Sequence, residues 1–250
     1  MRDATPDLLR RFRDYLVHQA GNSHNTVVEN LKIVSQLLRE AGVSHDPCGS
    51  MPLSREATPR GYLLEEELDR MMALKLKPGS EAAVVRDMFY VACRTGLRIS
   101  DLLQLRWENM AEGLLRIRMQ KTGRWVEVPA TPGVMAVLES YRNLFSDRKT
   151  YVFPLLREAA QREGDFAQAR DLVYATARFN LAIKKVATKA GIGKNLSSHM
   201  GRHTFATMLI NKGASIYEVN ELLGHRDVKV TQVYAHLMDC RKHELVAMLE

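Results

Sequence analysis

Six residues in this 250-residue chain have side chains suited to moving a phosphodiester: Arg98, Lys121, His199, Arg202, His225 and Tyr234. Arg98 lies in Thr95-Gly96-Leu97-Arg98-Ile99-Ser100-Asp101, where a turn leads into a helix. Lys121 begins a Lys-Thr-Gly-Arg turn, and His199-Met200-Gly201-Arg202-His203 opens another helix. Leu222-Leu223-Gly224-His225 ends a helix, and Tyr234 follows nine positions after His225. Transfer of a phosphodiester to a protein hydroxyl needs charge stabilisation on two non-bridging oxygens and a nucleophile. It also needs a base for the nucleophile's proton and an acid for the leaving 5′-oxygen. Arg98 and Arg202 suit the first task, because a guanidinium offers a planar fork and stays charged. A phenol with a pKa of about 10 attacks only with help, which makes His199 a candidate base for Tyr234. His225 is then a phosphate donor and Lys121 the general acid. The scheme uses no metal and no cofactor, so a chelator should not inhibit it.

Each residue also has an ordinary reading. Arg98 could cap the carbonyls of the preceding helix, Lys121 could simply be solvated, and Tyr234 could be core. His199 and His203 stand at i, i+4 on one helical face, a spacing that zinc pairs use. Neither an HExxH-type acidic base nor a cysteine ligand accompanies them. Gly201 costs up to about 1 kcal/mol inside a helix relative to alanine, and the sequence gives no reason for it.

The elements that must hold these groups read as a mostly helical α+β chain with a small antiparallel sheet. Thr5 and Pro6 open a helix carrying Leu8, Leu9, Phe12, Tyr15 and Leu16. A second helix carries Val27, Leu31, Val34, Leu37 and Leu38. Residues 43–60, rich in Pro, Gly and Ser, read as a linker. Helices are expected over 64–74 and 81–94, with Ser100 capping a short one. Leu115, Ile117 and Met119 alternate with arginines, and Trp125 to Val128 alternate again, so Lys121 lies at a hairpin tip. Tyr151 to Pro154 is expected as a third strand. Helices follow over 170–190, 198–211, 215–223, 227–235 and 239–250.

Composition bounds the rest. The formal net charge is +7, with 46% hydrophobic and 26% charged residues, an ordinary globular balance leaning towards an anionic partner. Lys and Arg balance Asp and Glu over residues 1–57, so the whole excess lies downstream. Three scattered cysteines, Cys48, Cys93 and Cys240, argue against a disulfide framework. No signal-peptide core and no spanning apolar run is present, so a cytoplasmic location is expected.

The order Arg98, Lys121, His199-x-x-Arg202, Leu223-Gly224-His225, Tyr234 resembles the tyrosine recombinase/integrase family. The strongest pieces are Thr-Gly-Leu-Arg-Ile-Ser-Asp, His199 to Thr207, and Leu-Leu-Gly-His followed by Thr231 to His236. The resemblance covers roughly residues 60–245 and implies domains at 1–57 (part of a DNA-clamping core-binding domain) and 58–250 (catalytic). It implies that Tyr234 attacks a scissile phosphate activated by Arg98, Lys121, His199, Arg202 and His225, forming a 3′-phosphotyrosine, and that Asp101 buttresses the site. It also implies double-stranded DNA as partner and a homotetramer on two sites, docked through residues 239–250, with a monomer in free solution. The core-binding segment shows two helices where the family has four or more, the expectation for a short form or a fragment. A type IB topoisomerase-like relaxing activity, a catalytically silent DNA-binding relative and a plain helical domain are the alternatives. The target DNA sequence and the choice among integration, excision, inversion and dimer resolution are not encoded in any motif.

Overall fold

The computed structural model describes residues 5–43, 49, 51, 53–56, 61–121, 123–144, 151–157, 164–225, 227, 228, 231 and 234. The chain divides into two compact units, Met1–Pro59 and Arg60–Glu250.

In the first unit, Thr5 Oγ1 accepts the Leu8 N–H (3.2 Å) and Pro6 fills the first position of α1 (Pro6–His18). Ser23 caps α2 (His24–Glu40) in the same way. The two helices bury a narrow seam of Leu9, Leu16, Val27 and Leu31 with Met51. Leu8, Tyr15 and Leu37, expected on the apolar faces, are exposed. Part of the expected linker is bonded to α2. Asn25 Nδ2 donates to Glu56 O (3.0 Å), the Glu56 N–H donates to Asn25 Oδ1 (2.9 Å), and Arg55 pairs with Glu29.

The second unit is built around α4 (Glu81–Thr95), whose Val84, Val85, Met88, Phe89, Val91 and Ala92 are buried. Around it stand α3 (Glu65–Met72), α5 (Ile99–Leu103), α6 (Pro132–Leu144), α7 (Asp165–Lys189) and α8 (Ser198–Asn211), with α9 (Ile216–Leu222) packed on α8. Burying such side chains is worth about 1.5–3 kcal/mol each, which fixes α4 as the frame for everything attached to it. The sheet is antiparallel in the order β1 (Met110–Ala111), β2 (Leu114–Arg118), β3 (Trp125–Pro129), with Ile117 opposite Val126 and Arg116 opposite Glu127. Leu115, Ile117, Val126 and Val128 face the core while the arginines face out, as period-two alternation requires.

Three expectations change. The third strand is Met110–Ala111, because Tyr151 makes only an isolated bridge to Arg106 while its ring and Phe153 are consumed by the core. Helix α5 starts two residues earlier than a Ser100 cap implied: Arg98 is its N-cap residue, without a side-chain cap bond. Helix α7 starts at Asp165 rather than 170. The expected helix at 227–235 falls mostly, and that at 239–250 wholly, outside the described residues. No helix among the described residues is long and apolar enough to cross a membrane.

Candidate active site

Helix α8 carries His199, Arg202 and His203, and two neighbours fix where it lies. Asn180 Oδ1 on α7 accepts the Ser198 N–H (2.8 Å), supplying the cap that Ser197 does not. Thr204 Oγ1 accepts the Leu63 N–H (2.9 Å) from the far side. Gly201 lies against α4, where a Cβ would come within 2.8 Å of the Ala92 Cβ. The glycine therefore lets the two backbones approach, which is its missing rationale.

That approach brings Arg202 to the ends of two other helices. Its Nη1 donates to Gly96 O (2.8 Å) at the end of α4, and its Nη2 donates to Leu223 O at the end of α9. Carbonyls at helix C-termini carry partial negative charge, so Arg202 performs the capping that Arg98 was weighed for. Gly96 and Gly224 are both left-handed, at φ 69° and 61°. A Cβ at Gly96 would overlap the Phe205 ring, and one at Gly224 would sit 2.7 Å from Val126 Cγ2. Only glycine satisfies both demands at these turns.

Arg98 and Asp101 complete a buried charged group with Arg202. Arg98 Nη1 lies 3.9 Å from Asp101 Oδ2 and 3.9 Å from the Met119 sulfur, contacts too long to occupy a guanidinium fully. Asp101 Oδ1 accepts the Gln120 N–H (3.1 Å), while its buried Oδ2 has no hydrogen-bond partner among the described residues. Burial raises the Asp101 carboxyl above its usual range, against the pull of Gln120, Arg98 and Arg202. Burial also lowers Arg98, with Asp101 opposing it. Arg202 is pushed down to about 9 by burial and by Arg98, with Asp101 and Tyr234 opposing, which still leaves it charged at neutral pH.

Lys121 is exposed at the hairpin tip, and both roots of the tip are tied. Gln120 is held by Asp101, and Arg124 Nη1 donates to His225 O (2.9 Å). His225 itself is nearly buried. Thr231 Oγ1 donates to Asn220 Oδ1 (2.8 Å), so the same hydroxyl accepts from His225 Nδ1 (2.8 Å). This fixes the tautomer with the proton on Nδ1, in which Nε2 donates only when the ring is an imidazolium.

Tyr234 is 5% exposed and packs with Phe205, Ala206, Ile210, Val219 and Leu223, so the core reading and the chemical reading hold together. Its N–H donates to Thr231 O (3.0 Å). Its hydroxyl is hydrogen-bonded to His203 Nδ1, with the rings 5.7 Å apart and inclined at 57°. His199, the expected base, is exposed in the first turn of α8. The structure thus gathers Arg98, Asp101, Arg202 and Tyr234, ties His225 beside them, and leaves Lys121 and His199 exposed. Sequence reasoning weighed His203 only as half of a zinc pair and Arg124 only as a turn residue. For His203, its place next to Arg202 was the available signal.

Residues 61–241 match the phage integrase family. Tyrosine recombinase XerD of Shewanella oneidensis is 34% identical, over 98% of this chain and 81% of its own length. Tyrosine recombinase XerC of Pseudomonas aeruginosa is 32% identical, over 88% of this chain and 71% of its own length. Among solved structures, a lambda integrase tetramer bound to a Holliday junction superimposes with a TM-score of 0.63 at 17% identity. That likeness, covering 91% of this chain and 66% of the integrase, concerns the fold alone.

Proposed function

Given that the chain belongs to the phage integrase family, we propose that it is a tyrosine site-specific recombinase that cuts and rejoins DNA through Tyr234. The observation that carries the assignment of residues is the Tyr234 hydroxyl, held by His203 next to the Arg98–Asp101–Arg202 group. Two guanidiniums and one carboxylate leave that group one net positive charge, which one phosphodiester anion neutralises. The two helix-end carbonyls occupy two of the five guanidinium N–H groups of Arg202, leaving three for phosphate oxygens. The negative charge that develops as Tyr234 attacks falls to His225 as imidazolium and to Lys121, which protonates the leaving 5′-oxygen. His199 contributes to phosphate activation from the first turn of α8, and Asp101 aligns Arg98 and the hairpin root. The product of the first step is a 3′-phosphotyrosine, with no metal and no cofactor involved.

The partner is double-stranded DNA, with residues 1–57 forming part of the clamp and a homotetramer on two sites as the acting assembly. Work on DNA and a buried, unpaired Cys93 fit a cytoplasmic location.

The test is covalent capture from a pool of nicked duplexes with randomised sequence around the nick, read on a denaturing gel. Wild-type protein should give an adduct, insensitive to chelator, that Tyr234→Phe abolishes while DNA binding persists. A chain that binds DNA without any adduct would be a silent relative, and site-independent plasmid relaxation would favour the topoisomerase reading.

A further inference from the structure

The Tyr234 hydroxyl is hydrogen-bonded to His203, a histidine other than the one expected as its base. We propose that His203 Nδ1 accepts the Tyr234 proton as the phenol attacks, an inference that rests on Tyr234 being the nucleophile. Three observations carry it. His203 Nδ1 and Tyr234 Oη are in hydrogen-bond contact. The contact does not depend on a loose side chain, because the tyrosine ring is walled by Phe205, Ala206 and Leu223 and inclined against the imidazole. The other histidines are placed for different work: His225 is committed through Nδ1 to Thr231, and His199 stands one helical turn, about 5.4 Å, behind His203 and exposed.

Direction follows from acidity. A phenol is the stronger donor and an imidazole the stronger acceptor of the two, with ordinary pKa values of about 10 and 6.5. In the step, Tyr234 Oη bonds to phosphorus as its proton passes to His203 Nδ1, giving an imidazolium. The bond from phosphorus to O5′ breaks, and the leaving oxygen takes its proton from Lys121. Rejoining reverses both transfers: the 5′-hydroxyl attacks, and His203 returns the proton to the departing phenol. The titratable and charged groups around the step are His199 and Arg202 on the same helix, Arg98 and Asp101 from the start of α5, Lys121 from the hairpin tip, and His225 from the turn after α9. His225 acts in the opposite sense, since its phosphate role needs the protonated ring. Protonation of His203 costs rate on acidification and deprotonation of His225 or Lys121 costs it at alkaline pH, and the His203→Gln profile separates the first from protonation of His199 or Asp101.

The experiment uses the full chain and the duplex that the wild type captures from the randomised pool, measuring single-turnover adduct formation against pH. His203→Gln keeps a hydrogen-bond acceptor for the phenol but no useful base. It should bind DNA and melt like wild type, while forming adduct roughly 100- to 10,000-fold more slowly at neutral pH. Without that base, its rate should rise with pH as hydroxide takes over, then level off where His225 loses its proton. A duplex whose scissile 5′-oxygen is replaced by sulfur, a leaving group that needs no acid, should rescue Lys121→Ala but not His203→Gln. The proposal is overturned by a wild-type-like rate and pH profile in His203→Gln, by a faster rate (a restraining latch), or by rescue with the sulfur duplex. Should His203→Gln unfold, His203→Asn takes its place with the same readouts. A wild-type chain that forms no Tyr234-dependent adduct would instead sink the recombinase assignment itself, a distinguishable outcome.

Discussion

Alanine at position 201 puts two effects of similar size against each other. Helix propensity favours alanine over glycine by about 1 kcal/mol. The new methyl would lie 2.8 Å from the Ala92 Cβ, with the Ala92 carbonyl carbon and the Phe89 ring at 3.6 Å. Overpacking of a dense helix interface costs about 1–3 kcal/mol, so Gly201→Ala should destabilise by roughly 0–2 kcal/mol. With Ala92→Gly behind it the clash disappears, and the same substitution should stabilise by about 1 kcal/mol. The double-mutant coupling is then about 1–3 kcal/mol. Both tryptophans, Trp107 and Trp125, belong to the 60–250 unit, so urea denaturation followed by tryptophan fluorescence reads this unit alone. Adduct formation should fall in Gly201→Ala, because pushing α8 off α4 draws Arg202 from Gly96 O, and should recover in the double variant. A coupling below about 0.5 kcal/mol, or a stabilising effect of Gly201→Ala alone, would refute the close-approach argument.

Further predictions concern the charged group and its ties. Arg202→Lys cannot reach both Gly96 O and Leu223 O while facing a phosphate, and should slow adduct formation about 100-fold or more with DNA binding largely kept. Asp101→Asn keeps an oxygen for the Gln120 N–H and removes a carboxylate whose folded pKa is raised by burial. Because a raised carboxyl pKa makes the wild type less stable as pH rises through it, the variant's relative stability in melts should be greatest at neutral pH and vanish in acid. Adduct formation by Asp101→Asn should nonetheless drop, with Arg98 left unaligned. Arg124→Gln cuts the tie from the hairpin to His225 O and should slow cleavage without lowering the melting temperature by more than a few degrees.

The local signals were the readable ones. Helix α8 and the β2–β3 hairpin follow from apolar spacing and turn residues, which act within a few positions of themselves. The charged site residues could be picked out because their order along the chain is specific. What stayed hidden depends on residues brought together by folding. Gly201 has a purpose only once Ala92 is beside it, and Arg202 caps helices that end far away in the chain. Tyr151 looked like a strand residue because it is aromatic in an apolar run, yet burial against the core, not pairing, explains it. His203 was overshadowed by the His-x-x-Arg pattern, although its Nδ1 meets the Tyr234 hydroxyl in this structure.

The two carbonyls that hold the Arg202 fork have a consequence for anyone reshaping this protein's target preference. Every amino acid carries a carbonyl, so Gly96 O and Leu223 O cannot be lost by changing a ligand residue. The aim of the fork is stored instead in the two left-handed glycine turns, Gly96 and Gly224, which set where those carbonyls stand. A mutational library that spares Lys121 and His199 can therefore vary the exposed surfaces, provided these two glycines are kept as fixed points.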